Sequence, residues 1–256
     1  TVITPISFDH MELLAPKSGS IEEVSYAKSG SIKEGIPCIV GKQTYREALE
    51  ILIDQAEHKQ APLFIYDRDW IVYEEKEEIV YEDNQNKFQF KNFKYHPTYQ
   101  VDNLGLAIAT VSQIPNINID GFLDSNLHEK TEIIGRFQKI EDLKINSFAN
   151  NDVEIIYDGG HNSAAGAGIY KSIEKLDKKP LCIVLGMISS KNPEDFISQF
   201  DQIECIRTIT IQNEESAITA EDLKHKVNKF CDDTDTSTSI DEAVKSISSK
   251  HSNARI

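Results

Sequence analysis

Cysteine is scarce in this chain of 256 residues, with Cys38, Cys182, Cys205 and Cys231 the four present. They lie far apart, with no CxxC and no Cys/His cluster along the sequence. That fits reduced thiols in a cytosolic protein better than a disulfide frame or a zinc site. Positive charge is also short: 27 Lys and Arg face 42 Asp and Glu, a net charge of −15. Such a balance argues against a general nucleic-acid or anionic-membrane surface. A bound anion would have to be held locally, by backbone N–H groups, a few Lys and Arg, or a metal. No apolar run approaches the ~20 residues needed to span a bilayer, and no signal-peptide pattern opens the chain. The GxxxxGK[ST] phosphate loop is missing, and Gly159-Gly160 lacks the GxGxxG spacing. With no internal repeat, heptad pattern or large apolar face, a monomer is expected.

What is present is a globular composition, 39% hydrophobic and 27% charged, long enough for one large domain or two ordinary ones. A strand at 2–6, a helix from Ser20 with Glu23 completing a capping box, an apolar run at 36–40, a helix at 45–58 and a strand at 62–66 alternate as β-α-β-α-β. That alternation predicts a parallel sheet. Residues 70–95 change to short alternating runs, as in a β-meander. A helix follows at 104–113, then a short loop and helix at 118–126. A domain joint is expected at 129–137. Beyond it come strand 153–157, helix 163–176, strand 181–186, helix 193–200, strand 206–211, helix 219–230, a polar tract at 232–239 and helix 240–249. The first residues read as already inside a strand, and Ala254-Arg255-Ile256 as the start of another apolar segment. The sequence is therefore expected to be a piece of a longer protein.

The stretch VEIIYDGGHNSAAGAGIYK at 153–171 organises the second half. Val153, Ile155, Ile156 and Tyr157 read as a buried strand, Asp158-Gly159-Gly160-His161-Asn162 as a sharp turn, and Ser163 as the cap of a helix. In an open parallel sheet, ligands sit beyond the carboxyl ends of the strands. Asp158, His161 and Asn162 fall at that edge, beside the free N–H groups of a helix N-terminus. Asp, Gly and Asn also serve ordinary turns. Asp9-His10 can supply a metal ligand or be a surface pair. Lys28 and Lys33 flank the Ser29-Gly30-Ser31 break. Arg136 can meet a phosphate bidentately or make a surface ion pair. Gln100 and Asn103, at i and i+3, can read a base or ribose or cap their helix.

Together the runs ITPISFDHMELL, SYAKSGSIKEGIPCIVGKQ, YQVDNLGLAIA, GRFQKI, YDGGHNSAA and VLGMISSKN resemble folylpolyglutamate synthase and dihydrofolate synthase. These form the folate branch of the Mur-ligase superfamily. The resemblance runs nearly the full length, and the K-S-G-x-I-K-x-G-I-P and D-G-x-H-N runs are its most specific parts. The Mur ligases, amino-acid ligases of cell-wall precursor synthesis, share the D-H turn, the later G-R and an x-H-N-P turn but generally lack the first run, and stand as the alternative reading. The resemblance implies an α/β chain. Residues 1–132 would be the end of a P-loop-type parallel-sheet ATPase domain, and 133–256 a truncated Rossmann-like C-terminal domain. It implies ATP and Mg²⁺ as cofactors and a folate or dihydropteroate plus L-glutamate as substrates. The reaction would be ligation through an acyl phosphate, unless the chain is a catalytically silent fragment without the phosphate loop. By position, His10 matches a magnesium ligand, and Lys28 a lysine that the family carbamylates to add a carboxylate for metal. Asn103, Arg136 and Asp158 match ATP-binding positions. His161 matches the nucleotide-side His of the turn. Lys28 and His161 are the residues expected to act in catalysis. The chain departs from the family pattern at Ala27, usually Glu, at Ile133-Ile134, usually Trp-Pro, and at Ser190-Lys191-Asn192, usually DKD.

Overall fold

A computed structural model describes residues 1–9, 11–76, 78–91, 97–117, 134–141 and 152–256. The chain divides into two units, Thr1–Thr131 and Glu132–Ile256. The expected elements at 118–126, the first part of the 129–137 joint, and His10 lie outside the described residues.

In the first unit, strands β1 (Val2–Ile3), β2 (Cys38–Val40) and β3 (Leu63–Ile65) pair in parallel in that order. The period-2 alternation of β2 sends its side chains to two cores. Cys38 and Val40 pack with Ile21 and Val24 of helix α2 (Ile21–Ser29) and with Ala48, Leu52 and Ala56 of helix α3 (Arg46–His58). These last three recur every fourth residue, the spacing that puts one stripe of a helix into the core. A one-turn helix, α1 (Met11–Leu14), packs on α2. Ile39 faces the other way. It packs with Val101, Leu106 and Ile108 of helix α4 (Thr98–Val111) and with the antiparallel meander β4 (Trp70–Glu75), β5 (Glu78–Asp83) and β6 (Lys87–Lys91). Gly105 is what lets α4 lie so close to the meander: a Cβ there would stand 2.4 Å from Val72 Cγ1.

Some boundaries differ from expectation for identifiable reasons. The fourth helix begins at Thr98, six residues early, with Pro97, itself in extended backbone, as its N-cap. The capping box at α2 is half formed. Ser20 Oγ accepts from Glu23 N at 3.3 Å, but the Glu23 carboxylate turns outward to take the N–H groups of Ser18 and Lys17.

The second unit is built on three parallel strands ordered β11 (Thr234–Thr236), β10 (Ile203–Thr208) and β9 (Leu181–Leu185). Next to β9 run Ala254, Arg255 and Ile256. Cys182 N donates to Arg255 O, and Arg255 N to Pro180 O, each at 2.8 Å. On their other side Glu154 N donates to Ala254 O at 2.9 Å, and Ile156 N to Ile256 O at 2.8 Å. The stretch containing β8 (Ile156–Tyr157) thus joins the sheet through residues 254–256. It also pairs antiparallel with β7 (Gln138–Lys139). Helices α5 (Ser163–Ile173), α6 (Pro193–Ile197) and α7 (Ala220–Val227) cover one face through Ile169, Phe196, Ile197, Leu223 and Val227. Helix α8 (Ile240–Lys250) covers the other, with Ile247 against Cys182 and Cys205.

The polar tract at 232–239 contains a strand after all. β11 holds its place through a parallel ladder and the Lys224–Asp235 ion pair at 2.9 Å, with no apolar alternation to betray it. The strand expected at 206–211 lies at 203–208, its ladder with β9 running back to Ile203 across a bulge between Ile203 and Cys205. Among the described residues no helix is long and apolar enough to cross a membrane.

Candidate functional site

The segment expected to be a buried strand is only partly so. Ile155 is buried, but Tyr157 is 54% exposed, and the residue buried in its place is Glu154, held by the Arg255 guanidinium. A charged pair in the interior and an aromatic ring on the surface reverse the simple apolar reading. Glu154 satisfies a buried cation, and Tyr157 lies over Gly135, whose hypothetical Cβ would come within 3.1 Å of the ring.

Two turns meet here. Gly135 adopts φ +72, a left-handed conformation that glycine reaches without strain. Gly135 O accepts from Gly159 N at 2.9 Å, and its N–H donates to Gln138 Oε1 at 3.1 Å. The Asp158 carboxylate ties the turns together: Oδ2 accepts from Phe137 N and Oδ1 from Gly160 N, both at 2.7 Å. Phe137 is itself left-handed, φ 49, with its ring buried in the core. Gly160 is pressed against α5, where a Cβ would stand 2.8 Å from Ile169 Cδ1 and 3.0 Å from Ala165 Cβ. His161 Nδ1 lies 3.0 Å from Gly159 O. The helix cap is Asn162, whose Oδ1 accepts from Ala165 N at 2.9 Å, so Ser163, expected as cap, is the first helical residue instead. Arg136 is exposed, its Nη1 donating to Gly135 O at 3.2 Å and sitting where a Cβ on Gly159 would come within 2.9 Å. An exposed guanidinium, an imidazole and the first N–H groups of an eleven-residue helix therefore converge on one edge of this unit. Guanidinium and helix N-terminus are the groups that hold phosphate oxygens.

The remaining expected residues stand elsewhere. Lys28 is exposed in the last turn of α2, and Asn103 is exposed on α4. These helices cover opposite faces of the parallel sheet. Gln100 and Asn103 both lie inside α4, so neither caps it. The Ser29-Gly30-Ser31 break closes α2. Ile32 then enters the core, and Lys59 Nζ donates to Ile32 O at 2.7 Å. Tyr157 was missed by sequence reasoning because an aromatic after Ile155-Ile156 reads as core. Alternation also puts it on the face of the buried Ile155, so no sequence period signals its exposed place over Gly135.

No protein-family model matches the chain. The curated dihydrofolate synthase/folylpolyglutamate synthase of Bacillus subtilis is 26% identical over 215 residues, 79% of this chain and 46% of that protein. A folylpolyglutamate synthase of Mycobacterium tuberculosis, solved complexed with ADP, superposes with a TM-score of 0.82 at 18% identity, over 97% of this chain and 55% of that one. The fold is that of the folylpolyglutamate synthases. The bifunctional folylpolyglutamate synthase/dihydrofolate synthase of Yersinia pestis, solved with AMPPNP and a Mn ion, gives 0.78 at 16% identity, over 99% of this chain and 57% of that one. The chain thus spans about half the length of the folate-ligase relatives it matches, and both regions that carry the sequence resemblance fold as compact parts of it.

Proposed function

We propose that this chain forms part of an ATP-dependent ligase that joins L-glutamate to a folate or dihydropteroate. The reading rests on the paired turns at 135–137 and 158–162, which present Arg136 and His161 beside a helix N-terminus. Similarity to proteins named dihydrofolate and folylpolyglutamate synthase supports it. In the reaction, ATP phosphorylates the substrate carboxylate, and the glutamate amine displaces phosphate from the acyl carbon to form the amide, leaving ADP and phosphate. Arg136 holds nucleotide phosphate, His161 lies on the nucleotide side, and Asp158 fixes the turn that bears them. Asn103 is assigned to the nucleotide as well. Mg²⁺ would neutralise phosphate charge, with His10 and a carbamylated Lys28 as its ligands on this chain. A monomeric protein in a reducing cytosol completes the proposal.

The deciding experiment is glutamate-dependent ADP release with dihydropteroate or tetrahydrofolate, using the protein that carries this chain. Arg136→Ala removes an exposed side chain with one hydrogen bond to its own turn. It should leave stability within about 0.5 kcal/mol while lowering kcat/KM at least ~10-fold, the worth of a charge-assisted phosphate contact. Turnover unaffected by Arg136→Ala would remove the nucleotide assignment. Absence of turnover with every pterin would overturn the ligase reading.

A further inference from the structure

Along the sequence Cys182, Cys205 and His251 are unrelated, but the fold brings them together. Their ligand atoms, two sulfurs and an imidazole nitrogen, all lie within 4.8 Å of one another. This corrects the expectation that no Cys/His cluster exists. The cluster lies under α8, on the sheet face opposite α5, α6 and α7, in a small core with Ile247 and Ala254. Two local features point to a ligand. His251 Nε2 is buried without a hydrogen-bond partner, a costly state for an imidazole nitrogen unless something accepts its lone pair or its proton. The bulge between Ile203 and Cys205 sets Cys205, not Glu204, opposite Cys182. Bulges of this kind re-aim a side chain and recur beside functional sites.

We propose that Cys182, Cys205 and His251 form a site for a single thiophilic d¹⁰ cation, Zn²⁺ or Cu⁺. Two thiolates with one imidazole are the donor set these ions prefer. Metal–sulfur bonds of about 2.3 Å and metal–nitrogen bonds of about 2.0–2.1 Å need donors roughly 3.5–4.5 Å apart, within reach of the observed cluster. On binding, each thiol loses its proton to solvent as a metal–sulfur bond forms. The negative charge so created has a buried cation at hand. Arg207 lies two residues after Cys205 on the same strand face and is 2% exposed, with its guanidinium bonded to Asp233 and Ser246. The site is separate from the Arg136–Asp158–His161 edge, so its presence or absence does not bear on the ligase reading.

The test is titration of the reduced full chain with Zn²⁺, and with Co²⁺ as a spectroscopic stand-in. The expected result is one ion per chain and a thiolate-to-cobalt charge-transfer band. Cys182→Ser and His251→Gln should each weaken binding by at least ~10-fold, whereas Cys231→Ser should bind as wild type does. Metal should raise the thermal midpoint of wild type but not of His251→Gln, a comparison within folded proteins. A chain that takes up neither ion nor Cu⁺ under reducing conditions would overturn the proposal. So would uptake that persists unchanged in Cys182→Ser, or air oxidation that closes a Cys182–Cys205 disulfide without metal uptake at any stage.

Discussion

Replacing Asp158 by Ala tests whether its carboxylate is the clamp between two turns. Both oxygens accept main-chain N–H groups at 2.7 Å, from Phe137 and Gly160. Hydrogen bonds to a charged acceptor are worth roughly 1.5–3 kcal/mol each, less where partly solvated. The two sites are only part-buried, so Asp158→Ala should cost about 2–4 kcal/mol. Asp158→Asn keeps one acceptor but points an NH₂ at the other N–H donor, so about 1.5–3 kcal/mol is expected. Urea denaturation reads this directly. With a slope of ~2 kcal/mol per molar, the midpoint of the second unit should fall by about 1–2 M for the alanine variant. The single tryptophan, Trp70, belongs to the first unit. Its fluorescence transition should therefore stay put while the far-ultraviolet circular dichroism shifts. A change below about 0.5 kcal/mol for Asp158→Ala would show that the turns hold without the carboxylate and refute the clamp.

Glu154→Ala strands the Arg255 guanidinium in the interior, and breaking such a pair should cost about 3–5 kcal/mol by the same denaturation. The double change Glu154→Leu with Arg255→Met should recover most of that loss. Gly105→Ala forces a Cβ into Val72 and Trp70 and should destabilise the first unit by about 1–3 kcal/mol, this time visible in Trp70 fluorescence. Burial pushes the Asp233 carboxyl up, but Lys250 and Arg207 outweigh it and hold its pKa below the ordinary carboxylate value. A depressed folded-state pKa stabilises above the unfolded value and is lost as pH falls through the folded one. Wild type should therefore lose more stability than Asp233→Asn between mildly acidic pH and pH ~3, measured as thermal midpoints.

Long amphipathic stretches were legible in the sequence. The stripe Ala48, Leu52, Ala56 and the alternation of the three meander strands each match a structural period. So did the parallel β-α-β-α-β start, since alternating elements leave few ways to cover both faces of a sheet. Polar edges were not legible. Thr234-Asp235-Thr236 is a strand by virtue of its neighbour's ladder, which no local pattern encodes. Glu154 was read as an interruption because its partner Arg255 is 101 positions away. The meeting of Cys182 with Cys205 depends on a bulge in one strand, and their meeting with His251 on where a helix ends. At the candidate site, Asp158, His161 and Arg136 were picked out singly. Their joint geometry came from a left-handed glycine and a left-handed phenylalanine that sequence period does not reveal.

The position of residues 254–256 bears on the order of folding. They lie between the strand leading to the Asp158 turn and β9, and hydrogen bond to both. The ladder that seats that turn on the main sheet therefore closes a loop of about a hundred residues. Pairings across such separations form late, because chain entropy opposes them until the rest has collapsed. During synthesis, β9, β10 and β11 can pair while the 158–162 turn still waits for its neighbour. The edge of the unit that carries Arg136, Asp158 and His161 is thus among the last parts to gain its final shape and the most sensitive to changes at the far end of the sequence.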